Sequence, residues 1–520
     1  MRYDNAALRK MKKLFKLIFS RFTLILLAIL LQLSLYVFLP LFLQAAFPFA
    51  KLNIAFTILS VIIVLLIINS DMTIEGQLPL VILCITLPVV GIAFCTLFLR
   101  IKVPKKVKTT ARKISEKTKP ITSYGDVVPK QIADNSKGVF KYVYNVSQMR
   151  TYIGDGAEFL ESGERFFVEL KKTLLSAKKF IFMEYFIIDR GAVWSEIQDI
   201  LARKASEGVE VRLMYDDLGT IALLPSSFPK QMKALNIKCI KFNEYNRLAS
   251  ALYNNRDHRK ITVVDGEIGF VGGANIADEY ANLISPYGYW KDSAVKITGP
   301  AVNNLTCMFL QLYDIQSCIV DDPKKYCLAT NDSDLSDNVT SLVCPFGDGP
   351  KYVYGDHVAE TVYLNIINLA VKTLYVTTPY LIIDSKLKSA LMNAASRGVD
   401  VRIITPGVPD KKAVYVITRS HYKELASAGV KIYELPGSFV HAKQIIADDE
   451  LACVGTINLD YRSMLHHYEC GVLLYKTSCV SKIKEDFQNS FSICEQKKDF
   501  KQNFLVRIFA ALIKLFTPLF

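Results

Sequence analysis

An internal repeat is the feature that most limits what this chain can fold into. The stretch KKFIFMEYFIID (178–189) resembles KTLYVTTPYLIID (372–384). Further along, ARKASEGVEVRLMYDD (202–217) resembles NAASRGVDVRIITP (393–406), and LNIKCIKFN (235–243) resembles AGVKIYELPG (428–437). Within each copy, short β-branched runs alternate with amphipathic windows such as WSEIQDILARKASEG and KLKSALMNAASRG, a pattern of α/β units. A mainly parallel sheet in each copy is therefore the expectation. Gly208 and Gly398 fall where a helix gives way to a strand, as left-handed C-caps require. Duplicated α/β halves imply pseudo-two-fold symmetry, with a shared site at the seam.

Each copy closes on the same constellation. HRKITVVDGEIGFVGGAN carries His258, Lys260, Asp265, Gly272, Gly273 and Asn275. HAKQIIADDELACVGTIN carries His441, Lys443, Asp448, Gly455, Thr456 and Asn458 at identical spacing. On a strand, His and Lys two apart share a face, so imidazole and ammonium converge on one ligand. The apolar runs that follow bury the strand and exclude water. The Gly pair, or Gly-Thr in the second copy, lets backbone approach closely, and Asn supplies an amide near a helix start, a natural anion site. Two Lys, two Asn and two His around one anion make a phosphate pocket, in which the histidines supply a nucleophile and a proton donor. A single His-x-Lys is ordinarily a surface pair; six matching positions at equivalent points of a duplication point to catalysis. Asp265 and Asp448 join the candidate catalytic set, although fixing a turn would also explain them. His357, His421, His466 and His467 have no duplicated counterpart and read as structural or peripheral. The cysteines show no CxxC and no Cys/His spacing for a metal, so they read as reduced structural thiols.

Composition places this machinery beside a membrane. The chain is 51% hydrophobic, and the excess lies in 22–50, 52–69 and 78–99, which contain no charged side chain. Runs of about 20 apolar residues cross a bilayer as helices. Much of the net charge of +14 flanks these runs, from Arg2 to Arg21 and from Arg100 to Lys119. Such placement suits membrane topology and anionic headgroups better than nucleic acid. The acidic segment NSDMTIEGQ should lie outside, making 52–99 a hairpin with everything after it in the cytoplasm. The run 22–50, with Pro40 and Pro48, reads either as a third span or as a re-entrant piece. At the C-terminus, helical spacing puts Phe504, Leu505, Ile508, Phe509, Leu512 and Phe516 on one face, with Arg507 and Lys514 opposite. An in-plane membrane anchor is the favoured reading, a helix docked on the protein the other.

The two motifs resemble the paired HKD motifs of the phospholipase D superfamily. The likeness continues over most of 140–500, through EYFIID, YWKD, TPYLIID, GVDVRI, AGVKIYE, HAK and GTINLDYRS. With the apolar N-terminus, the chain resembles bacterial cardiolipin synthases more than soluble phospholipases or nucleases. It departs in Gly273, where many members have Ser, and in the extra run before the usual hairpin. The resemblance implies an α/β fold of two pseudo-symmetric phospholipase D-like halves with N-terminal transmembrane helices. The expected regions are 1–99 (membrane), 100–140 (basic linker), 141–330 and 340–500 (the two halves) and 501–520 (tail). It implies transfer between two phosphatidylglycerol molecules, without metal or cofactor, at the cell membrane among anionic lipids. By that analogy His258 attacks phosphorus and His441 handles the proton, or the reverse, while Lys260, Lys443, Asn275 and Asn458 hold the phosphate oxygens. A carboxylate must then fix each imidazole's tautomer, and Asp292 in YWKD and Glu469 in HHYECGV are the candidates, reaching across the pseudo-dyad. The alternatives are a phospholipid hydrolase, a phosphatidylserine synthase, or a non-catalytic lipid-binding scaffold.

Overall fold

A computed structural model describes residues 27–30, 32, 47–98, 103–122, 134–154, 156–244, 255–329, 341–355 and 357–519. These fall into an apolar unit, made of the N-terminal residues through Val103 together with the C-terminal residues from Ala511 on, and a larger unit comprising Pro104–Glu244 and Asn254–Ala510.

In the N-terminal unit, helix Phe47–Ile68 is followed by Ile74–Thr86 and Pro88–Phe98. The run 78–99, expected as one helix, is broken at Leu87 (φ −133°, ψ 73°). Pro88 brings no N–H and crowds its predecessor out of helical space. The two short helices meet there so closely that a Cβ on Gly91 would lie 2.6 Å from Cys84 Cα. On the first helix Ile54, Ile58, Val61, Leu65, Leu66 and Ile68 are exposed. Of the expected run 22–50, residues 27–30, 32 and 47–50 are helical, and the rest lies outside the described residues. Among the described residues no helix is long and apolar enough to cross a membrane, so the expected transmembrane helices are not found there.

The larger unit opens with a short strand, Tyr152–Ile153 (β1). The first half then supplies Ala157–Leu160 (β2), Phe180–Tyr185 (β3), Glu210–Asp216 (β4), Lys238–Phe242 (β5), Ile261–Val264 (β6), Ile268–Gly272 (β7), Tyr289–Lys291 (β8) and Ala294–Thr298 (β9). The second supplies Leu342–Asp348 (β10), Thr373–Thr377 (β11), Leu381–Ile382 (β12), Asp400–Pro406 (β13), Lys431–Leu435 (β14), Ser438–Val440 (β15), Gln444–Ala447 (β16), Leu451–Gly455 (β17), Leu459–Asp460 (β18), Glu469–Tyr475 (β19) and Glu495–Gln496 (β20). Two main sheets result, ordered β2-β9-β7-β6-β3-β4-β5 and β1-β10-β19-β17-β16-β11-β13-β14-β20. The run β9-β7-β6-β3-β4-β5 matches β19-β17-β16-β11-β13-β14 strand for strand, so the duplication is legible in the topology.

The sheets are not mainly parallel, as the alternation of elements suggested. Only β3-β4-β5 and β11-β13-β14 pair in parallel; the other neighbours in both sheets are antiparallel. For β6-β7 and β16-β17 the cause lies inside the repeated motif. The turns at Asp265-Gly266 and Asp448-Asp449 have positive φ, and a connection that short can join only antiparallel strands. Gly208 (φ 89°) and Gly398 (φ 92°) do end their helices in left-handed conformation.

Helix Val302–Ser317 is buried from Val302 through Ile315 and packs against strands of both sheets, including β5, β6 and β10. An all-round buried helix of this kind ties the two halves into one core. The segment expected as a linker contributes too. Helix Lys105–Thr122 buries Ala111, Ile114, Thr118 and Thr122 and packs on Val302–Ser317, leaving its lysines outward.

Candidate active site

The seam is built from backbone. β8 of the first half pairs in parallel with β15 of the second, and Asp257 bridges to Tyr468. His258 N donates to Tyr468 O at 3.0 Å, while His441 N and Ala442 N donate to Lys291 O at 2.7 and 3.0 Å. Each histidine is thereby stitched to the opposite half one residue away from a carboxylate. His258 Nδ1 stands 2.9 and 3.1 Å from the two oxygens of Glu469, and His441 Nδ1 stands 2.7 Å from Asp292 Oδ2. All four side chains are buried. The two orienting candidates thus lie on the imidazoles of the opposite half.

A carboxylate only accepts, so each Nδ1 carries the proton and each Nε2 keeps its lone pair. Burial, then Lys260, Lys443 and His441, hold the His258 imidazolium well below its usual range. Burial and Lys443 push His441 down to about 4, against the pull of Asp292. Both rings are neutral at neutral pH. Burial raises Asp292, yet His441 and Lys443 outweigh it and keep the carboxyl below its usual range.

The motif histidines and lysines do not lie on the strands but in the segments just before β6 and β16. Lys260 Nζ donates to His258 O at 2.6 Å, and Lys443 Nζ donates to His441 O. Burial lowers these lysines to about 8 and about 7 respectively. Asp292 and Glu469 oppose that fall for both lysines, and the two ammonium groups, buried beside the histidines, offer an anion its counter-charge.

Other expected residues are placed differently. Asn275 Oδ1 accepts from Ile187 N at 3.0 Å and Nδ2 donates to Tyr280 OH at 2.7 Å, so it ties down the exit of β3. A short 3-10 turn at Asp278–Ala281 follows it, not the α-helix expected there. Asn458 is buried with no hydrogen-bond partner for Oδ1. Asp265 and Asp448 are structural, contrary to their inclusion in the catalytic set. Asp265 accepts from the N–H groups of Lys178, Lys179 and Phe180, and Asp448 from those of Val371, Lys372 and Thr373. They clamp the starts of β3 and β11 from the turns that close β6 and β16, at the strand ends remote from the histidines.

Gly273 has a reason of its own. A Cβ there would lie 2.1 Å from Asp292 Oδ1, so a side chain would drive the carboxylate off His441. In the second half Thr456 occupies the matching place and donates its hydroxyl to Glu469 Oε2, while Ser463 Oγ donates to Oε1 at 2.7 Å.

Sequence reasoning missed the groups behind the first motif. Arg256 is buried and donates to both oxygens of Asp216 at 2.7–3.0 Å. Arg259, also buried, donates to Glu184 Oε1 at 2.7 Å, Tyr354 OH at 3.0 Å and Met308 O at 2.9 Å. Together they fix the loop presenting His258. Their alternation around it, Arg-Asp-His-Arg-Lys, was the available signal. His467, expected to be structural or peripheral, stands beside the site, its ring centroid 5.5 Å from that of His258.

The family described as cardiolipin synthase, PLD-like domain, matches residues 170–302 and again 363–491, one motif in each segment. A protein of Streptococcus mutans, described as uncharacterized, is 38% identical over 464 residues, 88% of this chain and 99% of its own. A cardiolipin synthase of Alkalihalophilus pseudofirmus is 31% identical over 399 residues, 75% of this chain and 77% of its own. Among solved structures, a phosphatidylserine synthase of Haemophilus influenzae superposes with a TM-score of 0.55 at 17% identity, over 74% of this chain and 98% of its own. That likeness is one of fold.

Proposed function

The chain belongs to the cardiolipin synthase family with PLD-like domains and is an enzyme of that kind, a phosphatidyltransferase, and we propose that it joins two phosphatidylglycerol molecules through a phosphohistidine. The observation that carries this reading is the reciprocal pairing of His258 with Glu469 and His441 with Asp292 across the seam. His258 Nε2 attacks phosphorus of the first lipid, forming an N–P bond as the P–O bond to glycerol breaks. Burial and the charge of Lys443 hold His441 down; a bound phosphodiester offsets that charge, so His441 can take up a proton and give it to the leaving glycerol oxygen. His441 then takes the proton from a hydroxyl of the second phosphatidylglycerol. That oxygen attacks phosphorus, the N–P bond breaks, and cardiolipin leaves. Lys260 and Lys443 neutralise charge on the non-bridging oxygens, the main service a phosphoryl-transfer site provides.

Purified enzyme given phosphatidylglycerol alone should yield cardiolipin and glycerol in equal amounts, unaffected by a chelator. Phosphatidic acid as the main product would indicate a hydrolase. A requirement for free serine or a cytidine-activated lipid would indicate other transfer chemistry.

The same reading puts the N-terminal unit and the tail at the cell membrane, with the two halves in the cytoplasm. The apolar side chains left exposed on Phe47–Ile68 support it, as does helix Phe504–Phe516, which exposes Phe504, Leu505, Ile508, Phe509 and Leu512. Burying such a side chain fully is worth roughly 1.5–3 kcal/mol, so partial insertion of two should amount to about tenfold in lipid affinity. The double change Phe509→Asp and Leu512→Asp should therefore slow turnover on bilayers by about that factor and leave a short-chain soluble analogue nearly unaffected. Equal losses on both would remove the anchor.

A further inference from the structure

We propose that His258, Glu469 and His467 form a binding site for a divalent transition-metal ion of the zinc class, and that the bound ion switches the enzyme off. The cluster is the one group of its kind among the described residues, its three ligand atoms lying within 4.8 Å of one another. His258 Nδ1 is 2.9 Å and His467 Nδ1 3.8 Å from Glu469 Oε1. Two imidazoles and a carboxylate, with a position left for water, are a common zinc donor set. Bonds of about 2.0–2.1 Å at tetrahedral angles put ligand atoms about 3.3 Å apart, so the site needs contraction chiefly from His467. That side chain is 8% exposed, and neither ring nitrogen has a hydrogen-bond partner.

The pseudo-symmetry shows what the position would hold if packing were its whole task. Counting back from the carboxylate, His467 before Glu469 corresponds to Trp290 before Asp292. Trp290 stands 5.5 Å from His441, as His467 stands 5.5 Å from His258. An aromatic ring against the catalytic imidazole is common to both halves. Only the second half fills that place with a metal ligand.

Inhibition follows from the tautomer. An ion on His258 Nδ1 takes the lone pair there, so the Nδ1 proton moves to Nε2 and no proton is lost overall. Nε2 becomes an N–H and can no longer attack phosphorus.

The test uses the full chain in detergent, stripped of metal. In lipid-free enzyme, Co2+ should produce visible d–d absorption of a low-coordinate site, saturating at one ion per chain. Zn2+ should bleach it and, in parallel, suppress turnover of phosphatidylglycerol, with recovery on chelation. His467→Trp, which borrows the first half's residue, and His467→Phe should both lack the cobalt band. Each should need about tenfold or more zinc for the same fractional inhibition of its own zinc-free rate. No cobalt band in the wild type overturns the site. Equal zinc sensitivity in the wild type and both variants overturns it too, since the ion would then be acting on the anionic lipid. The cobalt titration involves no lipid, so it stands or falls apart from the identity of the substrate.

Discussion

Replacing His258 or His441 by Ala is expected to lower cardiolipin formation by roughly 10^4-fold or more, about 5.5 kcal/mol of transition-state stabilisation. Each ring is the endpoint of a geometry that needs both halves: a buried carboxylate on Nδ1 and a free lone pair on Nε2. One bond-making step uses a nucleophile and a proton carrier together, so the double variant should be scarcely worse than either single one. The backbone bonds that stitch the two loops to Tyr468 and Lys291 do not involve the side chains, so thermal stability should change little. Labelled phosphatidylglycerol adds a second readout. With His441→Ala, phosphoenzyme should form and persist, while His258→Ala should form none. Retention of even a tenth of wild-type turnover in either variant would show that one motif is structural, and phosphoenzyme in His258→Ala alone would exchange the two roles.

How far the sequence could be read depended on which residues were repeated. The two His-x-Lys motifs, the order of elements and the caps at Gly208 and Gly398 were legible because duplication isolates them from background. Strand direction was not. It is set by tight turns at Asp265 and Asp448, whose side chains bond the starts of β3 and β11, a contact far apart in sequence. Asp292 and Glu469 were found by asking what must hold a histidine. Arg256, Arg259 and Glu184 escaped because a buried ion-pair network reads as surface charge until its burial is known. The second half has apolar Phe439, Val440 and Ala442 around His441, so repetition offered no hint.

The same comparison explains the one departure within the motif. Gly273 and Asp292 form a matched pair, as do Thr456 and Glu469. Asp is one methylene shorter and sits where a Cβ on residue 273 would be. Glu reaches farther and is gripped by two hydroxyls. The halves therefore reach the same histidine geometry by different means. Asp292 accepts from Ser293 N at 2.8 Å besides its histidine; Glu469 shares its charge with Thr456 and Ser463. The carboxylate shared less widely stands on His441, the ring assigned to carry the proton.

Lys443→Met should cut kcat by about 10^2–10^3-fold, as loss of a preorganised charge at a developing anion does. The pH dependence gives this prediction its sign. Burial brings Lys443 down to about 7, with Lys260 lowering it further and Asp292, Glu469 and Asp460 holding it up. Only the ammonium serves the phosphate, so kcat/KM of the wild type should fall as pH rises through about 7, and this limb should be missing from the Met variant. A bound phosphodiester favours the charged form, so the limb in kcat should lie at higher pH. Stability runs the other way. Because the folded-state pKa lies below the unfolded one, the unfolded chain binds more protons between about 7 and 10.4, and stability rises with pH across that window. A charged lysine held in the interior costs folding energy that Met does not. The variant's Tm at pH 6 should thus be no lower than that of the wild type, even though activity is nearly lost. A parallel loss of Tm and activity would mean that Lys443 holds the fold, and undiminished turnover would mean that the phosphate lies elsewhere.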